Sequence, residues 1–180
     1  KQSDPAFEMY VMLGAWIQCK NAYTAGADHT VEDPEGNLKE IDAAIRLAGE
    51  YPDIVRIIAA GNEAMVTWQA HFVPASTILN WAALGGEERY RNADLAELMR
   101  QMDFVSMHTY AFHDTFYNPQ LQWGPLPEEA GLSLTEQAAS SIRRAIALQH
   151  GQYTAVKRYL ESIGVEKEIH IGETGWASLD

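Results

Sequence analysis

Four short apolar runs punctuate the chain, at residues 10–17, 54–60, 104–112 and 169–172. Each is rich in Val, Ile or aromatic side chains, and the first two show little alternation of apolar with polar positions. Such runs predict strands of a parallel sheet covered on both faces. Between them, apolar residues recur at helical spacing. Leu38, Ile41, Ile45 and Ala48 share one face after Gly36-Asn37, with Lys39, Glu40, Asp42 and Arg46 elsewhere. Leu95, Leu98, Met99 and Met102 form a second stripe that Asn92 and Asp94 are placed to cap. Ser133-Leu134-Thr135-Glu136 has the form of a capping box and opens a helix through Ile142 and Ile146. A last stripe of Val156, Tyr159, Leu160 and Ile163 stops at Gly164, a residue suited to follow a helix end. Gly151 either separates two helices or weakens one long one.

Strand and helix therefore alternate, which predicts an α/β domain of βαβ units. Strand ends near Ile17, Glu63, Tyr110 and Glu173 are 46, 47 and 63 positions apart. Units of that size leave long loops at the C-terminal ends of the strands, where parallel α/β folds keep their active sites.

Two of those ends carry a carboxylate. Glu63 closes the apolar run of IVRIIAAGNE, and Glu173 closes that of EIHIGETGW. A single acid after a strand is also what the first turn of a helix favours. The matched pair points further. Desolvation at a strand end raises a carboxyl pKa and supplies a general acid, while a second, ionised carboxylate acts as nucleophile or base. Two such groups facing one another are the minimal machinery for cleaving a glycosidic bond.

Gly61-Asn62-Glu63 after one apolar strand, and Gly172-Glu173-Thr174-Gly175-Trp176 after another, resemble the two signatures of glycoside hydrolase family 17, the β-1,3-glucanases and related glucosyltransferases. The resemblance runs in register over most of the chain, from Tyr10 to Ser178, and Met107-His108-Thr109-Tyr110 resembles its sixth-strand region. It implies a (β/α)₈ barrel of the TIM type and retaining chemistry on laminarin-type β-1,3-glucan. It also implies Glu63 as acid/base, Glu173 as nucleophile, Asn62 as a ligand of the sugar 2-hydroxyl and Tyr110 as a neighbour of the nucleophile. A secreted or periplasmic location follows from the same resemblance, although the polar start Lys1-Gln2-Ser3-Asp4-Pro5 carries no signal peptide. Water as second acceptor gives hydrolysis and a sugar hydroxyl gives glucosyl transfer. The motifs do not decide between them.

Sugar rings present apolar faces that stack on aromatic side chains. Trp176, Trp16, Phe112 and Tyr110 at strand ends, with His108, are the candidate substrate-binding residues. Trp68, Phe116, Tyr117 and Trp123 are further aromatic positions at or beyond strand ends, and residues 111–131, with three prolines, read as an ordered loop.

The pattern departs from the family in three places. Ala177 stands where a Pro is typical. About 40 residues separate Glu63 from Phe104, room for one βα unit rather than two, with residues 76–81 as the strand remnant. Strands three, four, six and seven have counterparts, while strands one, two and eight do not. The expectation is a single catalytic domain over 1–180, truncated at both ends and short across 64–103. A non-catalytic carbohydrate-binding barrel fragment is the alternative from a different class.

Composition narrows the partners. At 180 residues and 47% hydrophobic, the chain has material for a core, yet a complete barrel of this kind takes about 250 residues. Thirteen basic against 25 acidic residues give a net charge of −12, which disfavours nucleic acid and anionic membranes. No apolar run approaches the roughly 20 residues of a membrane helix. The single Cys19 excludes an internal disulfide. His108 and His113, near Asp114, fall on opposite faces of a strand, so no metal site is expected, and no cofactor is implied. Neither a phosphate-binding glycine loop nor a G-x-S-x-G elbow is present.

Overall fold

The structure, a computed structural model, describes residues 4, 6–61, 78–111 and 124–175. They fall in two compact units, 1–79 and 80–180.

In the first unit, β1 (Val11–Ala15) pairs in parallel with β4 (Val55–Ala60), and α1 (Pro34–Glu50) makes the crossover. Leu13 faces Ile58 and Ala15 faces Ala60, and the Gly61 N–H continues the ladder to the Ala15 carbonyl at 2.8 Å. A short antiparallel hairpin of β2 (Cys19–Lys20) and β3 (Asp28–Glu32) intervenes. Helix α1 begins because Asp33 Oδ1 accepts the Gly36 N–H at 3.0 Å and Pro34 occupies its first turn, where a missing N–H costs nothing. That backbone hydrogen bond, followed by one from the Gln18 side chain, holds the Asp33 carboxyl below its ordinary range.

The hydrophobic pattern misassigns the buried face of α1. Leu38 is 58% exposed and Ile45 is 60% exposed, whereas Asn37 and Ala44 are buried. A polar contact sets this rotation. The Asn37 amide clamps the backbone of Gln18, accepting its N–H at 2.8 Å and donating to its carbonyl at 3.1 Å. The expectation of strands covered on both faces also fails for β1 and β4, where Met12, Ile57 and Ile58 are exposed. Two paired strands are both edges, and α1 is the described helix packed on them.

In the second unit, β6 (Phe104–His108) and β7 (Glu168–Glu173) are parallel, with α3 (Leu134–Ser162) as crossover. The sheet order is β5–β6–β7, where β5 (Ile78–Asn80), which spans the boundary at 79/80, is a short strand within the 76–81 stretch. Helix α2 (Ala93–Gln101) is capped by Asn92, whose side chain accepts the Leu95 N–H at 2.8 Å. Ser133 and Glu136 form the anticipated capping box of α3, which runs unbroken through Gly151 and ends at Gly164 with φ +69°. Leu95, Met99, Val105, Met107, Val156 and Leu160 build the core, each burial of that kind contributing about 1.5–3 kcal/mol.

Position in the sheet explains which strands are buried. The central strand β6 buries Val105, Ser106, Met107 and His108 in succession, as an unalternating run predicts. The edge strand β7 leaves Ile171 and His170 exposed. His170 packs its ring on Phe104 at 4.8 Å and pairs with Glu168, rather than lining an interior. The described strands form sheets of two, two and three members, none of them closed.

Candidate active site

The site in the second unit forms where β6 and β7 end. Residues Phe104 to Met107 pair one for one with Glu168 to Ile171, after which the register shifts and His108 faces Glu173. Gly172 is the extra residue. A Cβ there would overlap the Ser106 hydroxyl, so any larger residue would force that side chain to move. Bulges re-aim the side chain that follows them, and here that side chain is Glu173. The ladder then resumes, with the Thr109 N–H donating to the Glu173 carbonyl at 3.0 Å.

Two side chains from the β6 end meet the same carboxylate oxygen. Tyr110 Oη donates to Glu173 Oε2 at 2.6 Å, and His108 Nδ1 lies 3.3 Å from it. His108 is fully buried, while the Glu173 side chain is 45% exposed. The carboxylate is therefore held from the protein side and open on the other.

A second layer went unseen in the sequence. Thr109 Oγ1, between His108 and Tyr110, hydrogen-bonds the buried Gln152 side chain on α3. One turn earlier on the same helix, Gln149 Nε2 donates to Thr174 Oγ1 at 2.8 Å, directly after Glu173. Helix α3 thus grips both strand ends. Glutamines on an amphipathic helix look like a solvated face, and nothing local to positions 149 and 152 signals partners 25 and 43 residues away.

Of the residues singled out from sequence, Glu173, Tyr110 and His108 come together. Trp16 follows β1 in the first unit, 39% exposed, and its backbone N–H donates to Glu40 Oε2 at 3.4 Å. Asn62, Glu63, Phe112 and Trp176 lie outside the described residues, as do Trp68, Phe116, Tyr117 and Trp123. Among the described residues no cluster of His, Cys, Asp and Glu is arranged to hold a metal ion. No described helix is long and apolar enough to cross a membrane.

No protein-family model matches the chain, and no curated protein matches it. Among solved structures, it is similar to the crystal structure of an endo-laminarinase from Formosa Hel1_33_131, with 38% sequence identity and a TM-score of 0.85. The match covers 98% of this chain and 52% of the other, so the chain spans about half the length of that enzyme and follows its fold over that half.

Proposed function

We propose that the chain belongs to a glycoside hydrolase acting on β-1,3-glucan by double displacement, with Glu173 as nucleophile and Glu63 as acid/base. The observation that carries this reading is the grip of Tyr110 and His108 on Glu173 Oε2 in a chain 38% identical to an endo-laminarinase. The two sequence signatures support assignment to glycoside hydrolase family 17 and to part of a (β/α)₈ barrel.

With Oε2 engaged, Oε1 of Glu173 is the oxygen that attacks the anomeric carbon. As that bond forms, the glycosidic C–O bond breaks and the Glu63 carboxyl protonates the departing oxygen. Glu63, now a carboxylate, takes a proton from water, whose oxygen displaces Glu173 and restores both groups. The retaining geometry needs the carboxyl groups about 5–5.5 Å apart. Tyr110 contributes by fixing the rotamer of Glu173, so little reorganisation accompanies attack.

Reducing-sugar release from laminarin tests the reading. Glu173→Ala is expected to lower release by about 10³-fold or more, as removal of a nucleophile does elsewhere. Equal release by wild type and variant overturns it.

A further inference from the structure

The first unit holds a cavity of about 210 Å³ between the β2–β3 hairpin and the chain that leads into it, lined by Ile17, Gln18, Tyr23, Thr24 and His29 among others. Its rim is built against backbone preference. Asn21 and Tyr23 adopt left-handed conformations, with φ of +56° and +64°. For a bulky aromatic residue that is a genuine outlier, costing on the order of 1 kcal/mol or more. The turn is fixed by its own hydrogen bonds: Thr24 Oγ1 donates to the Asn21 carbonyl at 2.8 Å, and the Thr24 N–H donates to the same oxygen at 3.2 Å.

Burial does not offset the strain. Tyr23 is 72% exposed, and its ring lies beside that of Trp16 at a centroid distance of 6.3 Å and an angle of 40°. A strained backbone therefore holds a large aromatic face toward solvent at the mouth of a cavity. The cavity walls are fixed as well. Gln18 Nε2 donates to Asp33 Oδ2 at 3.1 Å, which orients that amide, and His29 Nδ1 lies 3.6 Å from the buried Cys19 thiol, which sets the imidazole plane. An aromatic platform beside a preset amide and imidazole matches a pyranose ring, which has an apolar C–H face and a rim of hydroxyls.

We propose that this cavity is a sugar-binding subsite, in which a glucosyl unit of β-1,3-glucan stacks on Tyr23 and hydrogen-bonds Gln18 and His29. The choice of glucan rests on the proposed function above; the stacking site rests on the hairpin.

Calorimetric titration of the full chain with linear laminarihexaose tests it, with Glu173→Ala in every titrated chain so that the ligand is not cleaved, and with Tyr23 retained or changed to Gly or Phe. Glycine relieves the positive φ at an entropic cost of similar size, so Tyr23→Gly is expected to melt within a few degrees of wild type while its Kd rises about tenfold. Tyr23→Phe keeps the ring and stays within about twofold of the Tyr23 chain. Tyr23→Gly binding as tightly as the chain that retains Tyr23 overturns the proposal. With Tyr23 retained, amide resonances of Tyr23, Thr24 and His29 are expected to shift on titration; resonances that stay in place overturn it without any change at Tyr23. Tyr23-dependent binding without laminarin cleavage sustains the subsite and removes the hydrolase reading. Cleavage without Tyr23 dependence does the reverse.

Discussion

Tyr110 donates its phenolic hydrogen to Glu173 Oε2 across 2.6 Å, joining the ends of two neighbouring parallel strands through their side chains. Hydrogen bonds to a carboxylate at this distance are charge-assisted and contribute about 1.5–3 kcal/mol. The contact fixes which oxygen of Glu173 faces the protein and which stays open.

Tyr110→Phe removes the hydroxyl and leaves the ring. Laminarin turnover is expected to fall about 10- to 100-fold in kcat, the equivalent of one charge-assisted hydrogen bond, with a smaller change in KM. Steady-state kinetics at saturating and limiting laminarin separate the two. An unchanged kcat would mean that the Tyr110 hydroxyl does not act through Glu173.

Gly172→Ala puts a methyl group against the Ser106 hydroxyl. A stability loss of about 1–3 kcal/mol is expected from urea unfolding, as for other overpacked sites. Ser106→Ala in the same chain is expected to restore part of it. No recovery would show that the bulge is not limited by Ser106.

Gln152→Ala leaves the Thr109 hydroxyl without its buried acceptor and is expected to cost about 1–3 kcal/mol. Gln149→Ala, at an exposed contact, is expected to change stability by less than about 0.5 kcal/mol. If both grips position the strand ends, Gln149→Ala still lowers kcat at unchanged stability. Equal kcat for Gln149→Ala and wild type would confine α3 to a structural role.

The cap of α3 carries a pH signature. The Ser133 hydroxyl, then the Ser133 backbone N–H, hold the Glu136 carboxyl below its ordinary value in the folded chain. A depressed folded pKa gives stability that is present above the unfolded value and is lost as pH falls through the folded one. The urea midpoint of Glu136→Ala is therefore expected to lie below wild type at pH 7, with the gap shrinking below about pH 4. A gap that stays constant between pH 7 and pH 3 would show that Glu136 acts through something other than its charge.

The carboxylate of the site was legible because its signal is local. An apolar run, a glycine and a glutamate stand together at 169–173, and the partner Tyr110 closes another such run. Helix caps at Asn92, Ser133 and Gly164 were legible for the same reason. What stayed hidden depends on distant partners. The rotation of α1 is set by Asn37 gripping the backbone of Gln18, 19 positions away, and overrides the stripe of Leu38, Ile41 and Ile45. The β2–β3 hairpin has strands of two and five residues, with no apolar alternation in Asp28–Glu32 to mark it. Burial of β6 and exposure of β7 follow from central and edge places in a sheet, which a run of residues does not encode.

Covalent trapping tests whether Glu173 is the glycosyl-accepting nucleophile. The full chain is incubated with an activated 2-deoxy-2-fluoro laminaribioside, digested, and its peptides are weighed and fragmented. One adduct of the fluorinated disaccharide is expected, located on Glu173 and absent from Glu173→Ala. An adduct on a different carboxylate, or none under conditions where laminarin is cleaved, would contradict it.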